Sequence, residues 1–230
     1  MNGSAWRLEL YWIPLGAGER LVRRSGHLYE RLSAARHHRA PSDLYHSALI
    51  ATTPGGRYTI EMTPVPDAHG AERGVVAEGA VGSPLLGRWR VFRYEIRRWL
   101  GGEIPDLPYA VASPVLVSHD AAVVEDVLEL VAQVPTPTWG RHELYGGDMW
   151  NSNSVISWTL VRAGALVSAG APPAGGRAPG WDAGVIAAQR RNPRPYVTAV
   201  TDPWPSPLDG AGSPCGARRR RSATTNWLLR

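Results

Sequence analysis

Three residues of this chain have types and spacing that could do chemistry together: His46, Glu61 and Ser152. A serine hydroxyl is a weak nucleophile unless a base touches it, an imidazole is the usual base, and a carboxylate beside the imidazole fixes its tautomer and stabilises its protonated form. The local sequence offers a way to bring the first two together. Leu44 to Ile50 reads as a strand by its β-branched and aromatic content, Thr53-Pro54-Gly55-Gly56 as a turn, and Arg57 to Thr63 as the returning strand. Proline at the second position and glycine at the third suggest a type II turn. If Thr53 and Gly56 close it, residue 46 lies opposite residue 63. Glu61 is then the diagonal neighbour of His46 on one face, roughly 7–8 Å away at Cα. Tyr45, Leu49, Tyr58, Ile60 and Met62 fall on the other, more apolar face.

Ser152 opens a helical stripe with Val155, Ile156, Thr159, Leu160 and Ala163, at the spacing of a buried face. The free N–H groups and positive dipole end of a helix start would favour an oxyanion there. Plainer roles stand beside these. Ser152 or Asn151 serves equally as a helix N-cap, His46 as a core histidine, and Glu61 as the partner of an arginine from the strand around Arg93. Ser154 is a second hydroxyl near the helix start, turned off the stripe by its helical phase.

The elements that must hold these residues follow from the patterning. Residues 6–15 read as an apolar strand and 21–39 as a helix. Residues 64–87 form a loop with a short strand near Val75 and Val76. Residues 89–99 alternate as a half-buried strand, with Phe92, Tyr94 and Ile96 inward and Arg93, Glu95 and Arg97 on a solvated face. A strand at 115–117 leads to a helix at 120–134, capped by Asp120 and stopped by Pro135 and Pro137. A second helix runs from near Asn151 to Gly164, a natural C-cap. The glycine-rich segment 174–181 lacks the strand–glycine–helix context of a phosphate loop and reads as a covering loop. The fold class expected is α+β, an antiparallel sheet with helices packed on one side. The domain spans residues 1–189, followed by a basic, proline-rich, disordered tail at 190–230.

With 230 residues, 43% hydrophobic and 20% charged, the chain can bury a core. No apolar run is long enough to span a bilayer, and no basic segment followed by an apolar run opens the chain, so neither a membrane span nor a signal peptide is expected, and the expected location is cytoplasmic. The one cysteine, Cys215, excludes an internal disulfide and a cysteine-based zinc cluster. The net charge of +5 is a property of the tail, because residues 190–230 hold eight arginines against two acids and the remainder comes to about −1. Nucleic-acid contact through Arg218–Arg221 would be nonspecific. His27, His37 and His38 read as a solvated face rather than a metal site. All basic residues are arginine, as a GC-rich coding sequence would give.

Gly147-Asp148-Met149-Trp150-Asn151-Ser152-Asn153-Ser154-Val155 resembles the Asn-Cys-Asn-small-aromatic block of the circularly permuted papain-like hydrolases, among them the NlpC-type, lecithin retinol acyltransferase-like and PPPDE-like proteins. Tyr45-His46-Ser47-Ala48 resembles their histidine strand and Ile60-Glu61-Met62 their second strand. The match covers roughly residues 44–63 and 147–164. It implies an acyl or amide hydrolase or acyltransferase without a cofactor. Ser152 would be the nucleophile, His46 the base and Glu61 its orienter, with Asn151 and Asn153 supporting the oxyanion. The substrate would be a small molecule, lipid or peptide. The departure is serine where the family has cysteine, since a hydroxyl is far less acidic than a thiol. A serine-using enzyme and a degenerate, ligand- or peptide-binding member both fit.

Overall fold

The structure is a computed structural model and describes residues 5–16, 35, 38, 40–65, 73–144, 148–166 and 171–191. Nearly all of the helix expected at 21–39, Cys215 and nearly all of the tail lie outside these residues. Strands β1 (Arg7–Pro14), β2 (Asp43–Thr53), β3 (Gly56–Pro64), β4 (Val75–Ala80), β5 (Arg93–Leu100) and β6 (Val115–Ser118) form one antiparallel sheet in the order β4-β5-β3-β2-β1-β6. A short strand β7 (Gly176–Arg177) pairs with β2 in parallel. Among the described residues there are three α-helices: α1 (Ala121–Leu130), α2 (Ser152–Arg162) and α3 (Trp181–Arg191). This is the expected α+β class.

Alternation decides what each face of the sheet buries. Leu8, Leu10 and Trp12 of β1, Leu49 and Ala51 of β2 and Ile60 and Met62 of β3 lie cross-strand from one another or in step along their strands, and all are buried. Above them lies α2, in which every residue from Ser152 to Leu160 is buried. A helix covered all round is a central element rather than a surface one. Its outer neighbour α3 comes close because Gly184 has no side chain: an added Cβ would lie 2.1 Å from the Ser154 carbonyl oxygen and 2.2 Å from Ser157 Oγ. The opposite face of β1 and β2 is covered by the segment after β5, where Ile13 and Ala48 pack with Ile104, Leu107 and Ala110.

Several details depart from the sequence reading. The β2–β3 hairpin pairs Leu49 with Ile60 and Thr53 with Gly56, which is the expected register. The positive φ of the turn, however, is at Gly56 (130°) and not at Gly55, so the turn is not type II. Residues 89–92 are not strand. Trp89 joins two 3₁₀ turns, Pro84–Arg88 and Arg90–Phe92, and Phe92 is exposed. The charged side of β5 is not solvated, since Glu95 is 1% exposed and Arg97 8%. Helix α3 was not legible because its apolar side is made of Ala183, Ala187 and Ala188, too small to stand out as a stripe. It continues to Arg191, just inside the segment read as tail.

Candidate functional site

His46 lies on β2, Glu61 on β3, and Ser152 is the first residue of α2, so the three occupy the elements expected of them. Their side chains do not converge. Ser47 Oγ donates to Asn153 Oδ1 at 2.8 Å, so Ser47 is directed at α2. Successive strand side chains alternate, so His46 is directed to the other face. There its cross-strand partner is Ile13, and Ile13 and Ala48 pack with Ile104. Among the described residues no hydrogen bond joins Ser152 to His46. The serine–histidine pairing expected from the sequence is therefore corrected: the register that puts His46 and Glu61 on one face also turns His46 away from the helix.

Glu61 has a different partner as well. Arg97 Nη1 donates to Glu61 Oε1 at 3.2 Å, while Arg97 Nε reaches Glu95 Oε2 at 3.0 Å. Arg73 adds two further bonds to Glu95, from Nε at 3.2 Å and from Nη2 at 2.9 Å. The result is a chain of ions, Arg73–Glu95–Arg97–Glu61, across the helix-free side of β3 and β5. Burial raises the Glu95 carboxyl, but the bonds and charges of Arg73 and Arg97 outweigh it and hold the group below its usual range. For Glu61, with one weaker arginine contact, burial wins and the carboxyl is raised, with Glu95 adding to the rise. Burial lowers the His46 imidazole to about 4, opposed only in part by the charge of Asp106. His46 is thus neutral at pH 7 and Glu61 does not orient it. Sequence reasoning anticipated an arginine partner for Glu61, and the partner is Arg97.

The start of α2 is a joint between the sheet and the segment before α3. The β2–β3 ladder ends at Leu49 and Ile60, and beyond it β3 continues against β5 alone. Two groups occupy the side of β2 that β3 leaves. Strand β7 pairs with Asp43 and Leu44, and Asn153 Nδ2 donates to the Tyr45 carbonyl at 2.9 Å. Asn151 is the N-cap, its Oδ1 accepting from Asn153 N at 2.9 Å, and Ser154 completes a capping box by accepting from Asn151 N at 3.1 Å. The glycine-rich segment covers this helix start. Pro179 O accepts from both Asn151 Nδ2 and Asn153 Nδ2 at 2.8 Å, Gly180 O from Ser154 Oγ at 2.7 Å, and Trp181 O from Ser157 Oγ at 2.7 Å. Asp148 accepts from Gly180 N. Ser47, Asp148 and Pro179 are the members of this site that sequence reasoning missed. The glycine-rich run was the cue for Pro179, while Ser47 and Asp148 stood in the histidine-strand and helix-start blocks with no role assigned.

The side-chain amides of Asn151 and Asn153 thus bond to backbone carbonyls, and both residues act as braces. Among the described residues no group of three or more His, Cys, Asp or Glu could hold a metal ion, and no helix is long and apolar enough to cross a membrane. Compared with protein families, curated proteins and solved structures, the chain matches none.

Proposed function

We propose that this chain is a binding domain, a papain-like frame in which the hydrolytic chemistry has been lost and a small-molecule or peptide ligand is held instead. The layout of a histidine strand, an acid strand and an Asn-Ser-Asn helix start supports the papain-like reading. The observation that carries the loss of chemistry is the direction of His46, on the face of β2 opposite to the side chain that meets α2. Without a base, the Ser152 hydroxyl stays protonated and weakly nucleophilic.

The helix-free face where β2 and β3 part is the surface that fits a ligand. His46, Glu61 and Thr63 are half-buried and polar there, and by register parity they share that face. A neutral imidazole and a carboxyl with raised affinity for protons are good hydrogen-bonding groups that need little desolvation on binding.

A fluorophosphonate probe tests the first half. The expected result is no covalent labelling of the wild-type chain at Ser152, whereas labelling that Ser152→Ala and His46→Ala both abolish would restore the hydrolase and overturn the reading. The second half is tested by following the His46 ring proton resonances while adding short acyl-capped peptides. Saturable shifts that Glu61→Gln weakens are expected, and resonances unmoved by any peptide would remove the binding face.

A further inference from the structure

An exposed ridge lies apart from this site, on residues 84–92, at the β4 edge of the sheet. Leu85 is 81% exposed, Val91 69%, Trp89 46% and Phe92 39%. Apolar side chains so exposed and so close in sequence are uncommon on a free surface. They are not leftovers of core packing, because the two 3₁₀ turns hold them out in order. The Trp89 and Phe92 rings meet edge to face at 6.5 Å, and the Arg88 guanidinium carbon lies 4.1 Å from the Trp89 ring centroid. Gly87 seats the turn on β4, where an added Cβ would come within 2.7 Å of Ala80 Cβ.

The charge of the ridge is one-sided. Residues 83–93 read Ser-Pro-Leu-Leu-Gly-Arg-Trp-Arg-Val-Phe-Arg, with three arginines and no acid. Arg93 is paired with Glu78, while Arg88 and Arg90 are exposed beside the apolar side chains. Aromatic and aliphatic side chains that enter an interface, flanked by cations that stay at its surface, match the layered chemistry of an anionic bilayer: hydrocarbon below, phosphate and carboxylate above.

We propose that the 84–92 ridge docks this protein on the surface of anionic phospholipid membranes. Leu85, Trp89 and Val91 enter the headgroup–acyl boundary, and Arg88 and Arg90 lie among the lipid phosphates. The contact is peripheral and weak. Two exposed arginines and three apolar side chains give reversible binding that depends on the anionic lipid content and falls with salt.

The test is co-sedimentation of the full chain with vesicles of phosphatidylcholine containing about one-third phosphatidylserine, against vesicles of phosphatidylcholine alone. Binding is expected only to the anionic vesicles. Leu85→Ser/Trp89→Ser/Val91→Ser should weaken it about tenfold or more, and Arg88→Gln/Arg90→Gln roughly 25-fold, at about fivefold for each arginine. All five side chains are exposed, so circular dichroism should show both variants folded. The arginine-rich segment 190–230 provides the sharpest alternative. If it alone drives binding, the ridge variants bind as wild type does, and the proposal fails. Equal binding to both vesicle types overturns the anionic requirement. Binding to neither vesicle overturns the lipid assignment.

Discussion

Replacing Asn153 by alanine separates a brace from a catalytic support. The side chain makes three hydrogen bonds: two buried ones, to Tyr45 O at 2.9 Å and from Ser47 Oγ at 2.8 Å, and a partly buried one to Pro179 O at 2.8 Å. Pro179 O keeps its bond from Asn151 after the change, but Tyr45 O and the Ser47 hydroxyl lose a partner in a site where Ser47 is 1% exposed. A buried polar group left without a partner costs about 1–3 kcal/mol, so two such groups cost about 2–6 kcal/mol in all. For a domain of this size, 1 kcal/mol moves the melting temperature by roughly 2–4 °C, which gives a fall of roughly 4–24 °C. Ser152→Ala is the control, as it removes one hydroxyl at the first helical position and should cost less than about 1 kcal/mol. Urea unfolding followed by circular dichroism measures both, and equal slopes would show that the unfolded states are comparable. If Asn153→Ala loses no more stability than Ser152→Ala, the joint does not hold the sheet to the helix and the argument for a structural asparagine is refuted.

Other outcomes follow from the same geometry. The folded-state pKa of His46, about 4, lies below its unfolded value of 6.5, so the unfolded chain binds more protons between these values and stability falls as pH drops through that window. The shift corresponds to roughly 3 kcal/mol at full effect, and His46→Gln should flatten the pH dependence of unfolding between pH 6.5 and 4 relative to wild type. Glu95→Gln leaves Arg73 and Arg97 without their buried carboxylate and should cost about 3–5 kcal/mol, measured by urea unfolding at pH 7. Gly184→Ala pushes a methyl group against the Ser154 carbonyl and should lower stability by about 1–3 kcal/mol, although alanine is the better helix former. A melting temperature equal to that of wild type would mean that α2 and α3 can separate freely.

Much of the frame was legible because local chemistry sets it. The turn residues Thr53 to Gly56 fix the hairpin register, and Asp120 and Asn151 cap the helices that follow them, Asp120 accepting from Ala122 N at 2.9 Å. What could not be read depends on contacts between distant segments. The β5 charges alternate like a solvated face, yet Arg73, from the segment just before β4, and Glu61, from β3, arrive to pair them, and paired charges can be buried. Face parity along β2 was read correctly for His46 and Glu61. The face that the helix would cover was not, because alternation says which residues point together but not what lies over them. The strand expected at 89–99 begins only at Arg93, since the two 3₁₀ turns before it are set by contact with β4 rather than by apolar period.

The helix start at Asn151 shows why a nucleophile and a brace are hard to tell apart in a sequence. Both need small polar residues where backbone N–H groups are unpaired, and both attract oxygen. In a hydrolase that oxygen belongs to the substrate. Here the oxygens that accept from the side chains of the α2 start belong to the chain: the carbonyls of Tyr45, Pro179 and Gly180. A segment whose carbonyls accept from Asn151, Asn153 and Ser154 competes with any acyl group for the same donors. An enzyme would have to release it before each turnover. The bond from Ser154 is buried and that from Asn153 partly so, and Gly180 sits at φ 84° with an added Cβ only 2.4 Å from Asn151 Oδ1, so the segment fits this helix start closely. The same block of residues that resembles a catalytic motif is, in this fold, the clamp that joins β2, α2 and α3. The direction of His46, away from the helix, and the covering of the helix start are therefore two observations that support the proposed binding role.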